Sequence, residues 1–559
     1  LRRGIIMKLT VKSPEGKIIE KTVEEGVSCA QLIKHLSFAF PILACKENHH
    51  YERLNTPITQ DAEIELFDLR NSYANMSYQN TLILLYLKAI RDVTKEDTTV
   101  HIANSISKGI FTTIYHSEMS KDELIGKIEK RMHDLVQADL PILQTKKSRD
   151  ALLNDIEKHN AWQYESRIIQ TAYDVREAFV STLDDTQHLF YQYLLPSTGY
   201  LYAFDLHAYR RGIVLRFPHP ANPLIVPTFE EQNLLYEAFS EEKTWEKLMH
   251  IQEVSDLNER ILSDDVKNMI LLSEALHEKK IADIAKEIHD KAKKIVLIAG
   301  PSSSGKTSFA KRLCIQLQVL GLNPLYLGTD DYFINRNDLP VQQDGTKDFE
   351  ALSAVDVDLF TEQMNALLRH EVVDLPTYNF VKGEKEYGER ITQLHEDQLI
   401  VIEGIHGLNP ELTKGIDDKE KFKIYISPLT QLTIDRYHRI PTTDARMLRR
   451  MVRDYRTRNV SAADTIASWY SVRKGEEKNI FPYNGEADVF FNSSCIYELA
   501  VLKKYAEPLL KRISYASEQY AEAQRMLRFL DFFVTIQDDS CIANNSIIRE
   551  FIGGSIIAS

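Results

Sequence analysis

Residues 295–307 read IVLIAGPSSSGKT, an apolar, β-branched run that stops at Gly300 and gives way to three serines, Gly305, Lys306 and Thr307. The spacing fits GxxxxGK[ST]. In that pattern a strand leads into a loop whose backbone N–H groups turn inward around a polyphosphate, and the following helix presents its positive N-terminal end. It sets Gly300, Ser302, Ser303, Ser304, Gly305, Lys306, Thr307 and Ser308 against the phosphates. Lys306 is expected to reach the β- and γ-phosphates. The Thr307 hydroxyl is expected to face Mg²⁺, a hard cation held by a few oxygens and by the nucleotide itself. The stretch SFAKRLCIQLQVLG (308–321) carries helical periodicity, with Gly321 as its C-cap.

At 559 residues the chain exceeds what one core can hold, and its length predicts three or four domains. A formal charge of −13 argues against a general nucleic-acid coat, while leaving room for a local basic patch. Cys29, Cys45, Cys314, Cys495 and Cys541 are widely spaced with no CxxC pair, which reads as reduced thiols of a cytoplasmic protein. No run of eighteen apolar residues and no signal-like segment occurs, so neither a membrane span nor export is expected. Residues 1–6, LRRGII, read as an extension upstream of Met7 rather than a targeting signal.

Downstream of the loop, NPLYLGTDDYF (323–333) predicts a second strand ending in a carboxylate-rich turn. Open α/β sheets gather ligands at the carboxyl ends of their strands, so Asp330 and Asp331 should lie beside the phosphate loop. A hydroxyl that accepts a phosphoryl group needs a carboxylate within hydrogen-bond reach, and Asp330 is the candidate base and a candidate metal ligand. DLPTYNF (374–380) sets Tyr378 and Phe380 after a proline turn. LIVIE (399–403) ends a buried strand on Glu403, whose carboxylate is costly there unless it meets a cation, so a Mg²⁺ contact is expected. Between 436 and 458 the chain has eight arginines and no lysine, a composition suited to a lid of guanidiniums over a phosphoryl group.

Taken together, GPSSSGKT, TDDYF, LPTYNF, IVIEG, RRMVRDYRTR and EADVFF resemble, in order, the uridine kinase and phosphoribulokinase family over residues 295 to about 500. The resemblance implies that Asp330 is the general base and Glu403 the magnesium-linked glutamate. It implies that Phe333, Tyr378 and Phe380 line a nucleoside site, and that Arg450, Arg453 and Arg458 are lid arginines. Two departures stand out: Gly383 in VKGEK replaces a base-contacting histidine, and FEALSAVD, with Glu350, replaces the family's DHP element.

The front of the chain has resemblances of its own. MKLTVK and KIIEKTV around a PEG turn, a helix from about Ser28 to Leu36, and DAEIELFDL (61–69) predict a β-grasp fold and resemble the TGS domain, which implies a binding module, often for RNA. Residues 78–140, with KGIFTTI and IEKRMHDLVQADLPI, resemble the second domain of threonyl-tRNA synthetase; there Gln79 and Ile83 stand where that family has an HxxxH pair, so editing chemistry is not expected. The whole chain is similar to longer bacterial nucleoside-kinase proteins with a TGS front.

The expected architecture is a multidomain α/β chain. It comprises a TGS-like β-grasp domain at 7–69, an α+β synthetase-like region at 70–220, a helical connector at 221–293, a P-loop doubly wound parallel sheet with a helical lid at 294–500, and a C-terminal helix and tail at 501–559. The expected activity is transfer of the γ-phosphoryl of ATP or GTP, with Mg²⁺, to the 5′-hydroxyl of a nucleoside, foremost uridine or cytidine. The alternatives are an RNA-associated regulatory P-loop factor and a kinase of another small hydroxyl compound. RNA contact through the front half and homo-oligomerisation are the further partner expectations.

Overall fold

A computed structural model describes residues 6–95, 98–115, 119–159, 161–263, 265–340, 348, 350–430 and 432–558. The expected upstream extension lies outside these residues except for Ile6.

The front sheet has five strands in the order Ile18–Glu24, Ile6–Lys12, Ala62–Asp68, Ile42–Glu47, His50–Glu52. Alternation along MKLTVK buries Met7, Leu9 and Val11, because side chains in a strand point to opposite faces in turn. The first and last long strands run parallel, and the other pairs are antiparallel. The helix is shorter than the sequence suggested, Cys29–Ile33, because Ser28 and Gln31 form a capping box at its start and the chain leaves helical geometry soon after.

Next comes Ser72–Thr94, buried on nearly every side and capped by Asn71, whose side chain accepts from Tyr73 and Ala74 N–H. SISKGIFTTI (105–114) spans the turn of a hairpin between Thr99–Ile106 and Gly109–Tyr115 and most of its second strand. Ser107 and Lys108 take the left-handed conformation at the turn, φ 51° and 60°, without the Asn or Gly that announces such turns in sequence.

Three helices come next: Asn233–Met249, Val254–Leu262 and Val266–Asp290. The last of these packs on the helix after the phosphate loop, where Arg312 pairs with Glu278 at 2.6 Å. Five parallel strands follow, in the order Asn323–Gly328, Gln398–Glu403, Ile295–Ala299, Lys421–Ser427, Val489–Asn492. Ile295–Ala299 lies at the centre and is buried along its whole length, as expected of a continuous apolar run covered by helices on both faces. No helix among the described residues is long and apolar enough to cross a membrane.

A small hairpin, Thr433–Asp435 with His438–Arg439, leads into the arginine-rich helix Thr442–Arg458 and ties the two halves together. Ile102 N–H donates to the Arg436 carbonyl at 3.1 Å, Tyr191 Oη to Asp435 at 2.7 Å, and Arg439 Nη2 to Gln79 Oε1 at 2.9 Å. Gln79 is thus bound to the nucleotide half. Beyond Ala462–Asn479 lie Glu498–Leu510, which runs across the boundary expected at residue 500, then Tyr520–Leu530 and Ile547–Ile552.

Candidate active site

The central strand ends at Ala299, and the loop that follows is fixed by close backbone packing. A Cβ on Gly300 would collide with the Ile426 carbonyl oxygen, and Gly305 takes φ +82°, a conformation open to glycine at little cost. Helix Lys306–Val319 starts from Gly305 with no side-chain cap, which leaves its first N–H groups facing the loop. Lys306 Nζ donates to the Gly300 and Pro301 carbonyls at 3.0 and 3.3 Å. Burial lowers its pKa, while Glu403, Asp330 and Glu550 oppose that shift.

Strand pairing sets Glu403 opposite Ile298 and Gly328, at the carboxyl end of the sheet. Its Oε1 accepts from Thr307 Oγ1 at 2.8 Å and from Tyr326 Oη at 3.0 Å. The turn Thr329–Tyr332 presents the aspartates. Asp331 is committed to Arg390 at 2.8 Å, whereas Asp330 opens to solvent at the bottom of a crowded cleft. Protein surrounding the carboxyl group pushes the Asp330 pKa up to about 6, with Glu403 adding to the rise and Lys306 opposing it.

Three residues on from Asp330, Phe333 meets Tyr378 and Phe380 edge-to-face, at centroid distances of 5.6 and 6.3 Å, and the latter two lie 5.1 Å apart. Phe333 and Tyr378 are buried; Phe380 is 58 % exposed and forms the open side of this wall. Gly383 sits in the same turn with φ +77°. A Cβ there would come within 2.8 Å of the Arg336 side chain, whose Nη2 donates to the Phe380 carbonyl at 2.6 Å.

The arginines do not form one lid surface, and that expectation is corrected for Arg446 and Arg449. Arg446 and Arg449 are 1 % and 0 % exposed and serve as buried struts. Arg446 pairs with Glu476 and donates to the Ser302 carbonyl at 3.1 Å; Arg449 pairs with Glu498 and donates to the Ser493 carbonyl at 2.8 Å. An i, i+3 spacing puts both on the buried face of the helix, so each guanidinium takes a buried carboxylate partner. Arg450 reaches the loop, donating to Ser302 Oγ at 2.8 Å. Arg450, Arg453 and Arg458 all lie on Asp454, at 3.4, 2.8 and 3.4 Å.

Thr307 on the loop helix, Glu403 at the end of its strand and Asp330 in the turn after the neighbouring strand supply a hydroxyl and two carboxylates, a hard oxygen set of the kind Mg²⁺ takes. The buried hydroxyls of Ser303 and Ser304 have no hydrogen-bond partner among the described residues, as suits a loop built for further acceptor oxygens. The residues therefore fit a metal-bound polyphosphate. Sequence reasoning missed Tyr326, Arg390, Glu476, Glu498 and Glu550. Four are ordinary strand or helix residues in the chain and Arg390 lies just before a short strand; only folding sets them against the loop or the aspartates.

Comparison with known proteins finds sequence similarity over the same part of the chain. Residues 295–499 match the model of the phosphoribulokinase / uridine kinase family. The chain is 28 % identical over 196 residues to the uridine kinase of Bacillus pumilus, covering 35 % of this chain and 84 % of that protein. It is 29 % identical over 218 residues to the threonine–tRNA ligase of Syntrophotalea carbinolica, covering 37 % of this chain and 33 % of that one. A solved structure described as a possible uridine kinase from Bacillus stearothermophilus aligns with 38 % of this chain and 98 % of its own, at 20 % identity and a TM-score of 0.27. The chain is an enzyme of the phosphotransferase class, with its kinase region in residues 295–499.

Proposed function

We propose that the protein transfers the γ-phosphoryl group of ATP or GTP to the 5′-hydroxyl of a nucleoside, with uridine and cytidine the leading acceptors. The observation that carries this reading is the placement of Asp330. Its carboxyl group lies in one cleft with Lys306 and Glu403, and its own turn runs directly into the aromatic wall of Phe333, Tyr378 and Phe380.

In this reading the acceptor ring rests against the aromatic wall and its hydroxyl meets Asp330, which takes the proton as the phosphoryl group moves. A base of pKa about 6 is ionised at neutral pH yet basic enough to hold that proton. Loop N–H groups and Lys306 hold the donor phosphates. Thr307, Glu403 and Asp330 would hold Mg²⁺, which would supply charge neutralisation. Arg450, Arg453 and Arg458 turn from Asp454 toward the phosphates when the lid helix closes and excludes water.

For the front half we read a β-grasp, TGS-like module at 7–69 and a synthetase-like region at 70–220, both retained as binding scaffolds with RNA as the candidate partner. The similarity to threonine–tRNA ligase supports this part. A panel of nucleosides and small hydroxyl compounds, each incubated with ATP or GTP and Mg²⁺ and scored for a phosphorylated acceptor, tests the kinase reading. Turnover that needs RNA and no small acceptor would replace it with the regulatory-factor alternative.

A further inference from the structure

The last residues of the chain return to the phosphate loop. They lie beyond the matched family region, which ends at 499. Ile547, Ile548 and Phe551 are fully buried, and Ser546 Oγ donates to Glu274 at 2.6 Å. Arg456, on the arginine-rich helix, donates to the Glu550 and Phe551 carbonyls at 2.9 and 3.3 Å. Ile547 Cγ2 lies 2.5 Å from the point where a Cβ of Gly305 would stand, so the loop glycine also makes room for the tail.

From this fixed backbone the Glu550 carboxylate reaches the loop helix. Its Oε2 accepts from Ser308 Oγ at 2.6 Å and from the Ser308 backbone N–H at 3.4 Å. Ser308 is the third residue of a helix whose Gly305 cap offers no side-chain acceptor, so this N–H belongs to the set that a phosphate chain needs. A carboxylate and a phosphate are both acceptors and both anions. They compete for the same hydroxyl and amide.

Resting on the proposed function above, we propose that Glu550 sets the affinity for the phosphoryl donor, holding the Ser308 hydroxyl and amide until the donor's phosphate chain takes over both bonds. Arg456 grips the main chain of residues 550 and 551, so the exchange needs only a rotation of the Glu550 side chain. The displaced carboxylate stays close to the bound phosphates, and its charge keeps donor binding weaker than the loop alone would give.

The test is calorimetric titration of the full-length chain with MgATP and MgGTP, without acceptor, alongside thermal unfolding. Glu550→Gln keeps the size of the side chain and removes its charge; it is expected to bind the donor about tenfold more tightly, about 1.4 kcal/mol. With Ser308→Ala in the background the gain should shrink to less than about threefold, because the shared hydroxyl is gone. Glu550→Asp draws the carboxylate back from Ser308 and should also tighten binding, which keeps the test open if the glutamine variant does not fold. Equal or weaker donor binding by these variants, with a lower unfolding midpoint, would make Glu550 a helix cap only and overturn the proposal. Absence of nucleotide binding in every protein, the unsubstituted chain included, would overturn the kinase reading and this proposal with it.

Discussion

Thr307 Oγ1 donates to Glu403 Oε1 across 2.8 Å, joining the first turn of the loop helix to the end of the neighbouring strand. Side chains 96 residues apart thereby form one oxygen cluster. Tyr326 completes it from a third strand, at 3.0 Å. Replacing Thr307 by Val keeps the shape and removes the shared hydroxyl. The expected result is a loss of turnover of about a hundredfold or more, the scale of a lost charge-stabilising group, together with a higher Mg²⁺ requirement. Rates measured across a Mg²⁺ series check it, and an unchanged Mg²⁺ dependence would remove Thr307 from the metal site.

Asp330→Asn should lower turnover by roughly a hundredfold or more while donor binding persists. Burial raises the Asp330 pKa, and only the ionised carboxylate accepts a proton, so the rate of the unsubstituted enzyme should fall as the pH is lowered into the acid range, and this fall should be absent in Asp330→Asn. Asp331, paired with Arg390, should act mainly on stability. A large kinetic loss in Asp331→Asn with little in Asp330→Asn would reverse the assignment.

The raised pKa also predicts an effect on folding. Asp330 is harder to ionise in the folded chain than in the unfolded one, so its charge destabilises the fold wherever both states are ionised, above about pH 6. The penalty fades as pH falls from there toward 3.8, the ordinary value for an aspartate, below which both states are protonated. Asp330→Asn should therefore raise the thermal midpoint at pH 7.5 and raise it less at pH 5. An equal gain at both values would show that the charge is not the cause.

Arg449 and Glu498 form a buried pair beneath the loop. Arg449→Met leaves the Glu498 charge without its guanidinium and should cost about 3–5 kcal/mol, whereas adding Glu498→Leu should recover much of that loss. The unfolding midpoint of the nucleotide-binding half, read by its shift on adding MgATP, measures both. If the double variant is no more stable than Arg449→Met alone, the loss comes from the loop contacts rather than from the stranded charge.

Acceptor selectivity should be broad. Gly383 has no side chain to offer a base edge, and Arg336 fills the space where one would begin. Selectivity of about 10⁴ or more arises from buried groups that a wrong ligand leaves unpaired. Steady-state constants for uridine, cytidine, adenosine, guanosine and inosine should therefore differ by less than that. A preference for uridine above about 10⁴ over every purine would mean that another residue supplies the missing contact.

By itself the sequence determined the parts whose signal is local. The five-residue apolar run, Gly300 and the GKT at 305–307 specify strand, loop and helix, because burial of a parallel strand and the backbone freedom of glycine are properties of neighbouring residues. TDDYF and LIVIE were legible for the same reason: a carboxylate that ends an apolar strand already implies a ligand at that strand end. The tertiary structure decided what depends on residues far apart in the chain. It separated Asp330 from Asp331 by giving Arg390 to the second. It divided one arginine run into buried struts on Glu476 and Glu498 and a group held on Asp454. It also carried Glu550 to Ser308 across 242 positions, a contact set by how the last helices pack and not by any pattern around either residue.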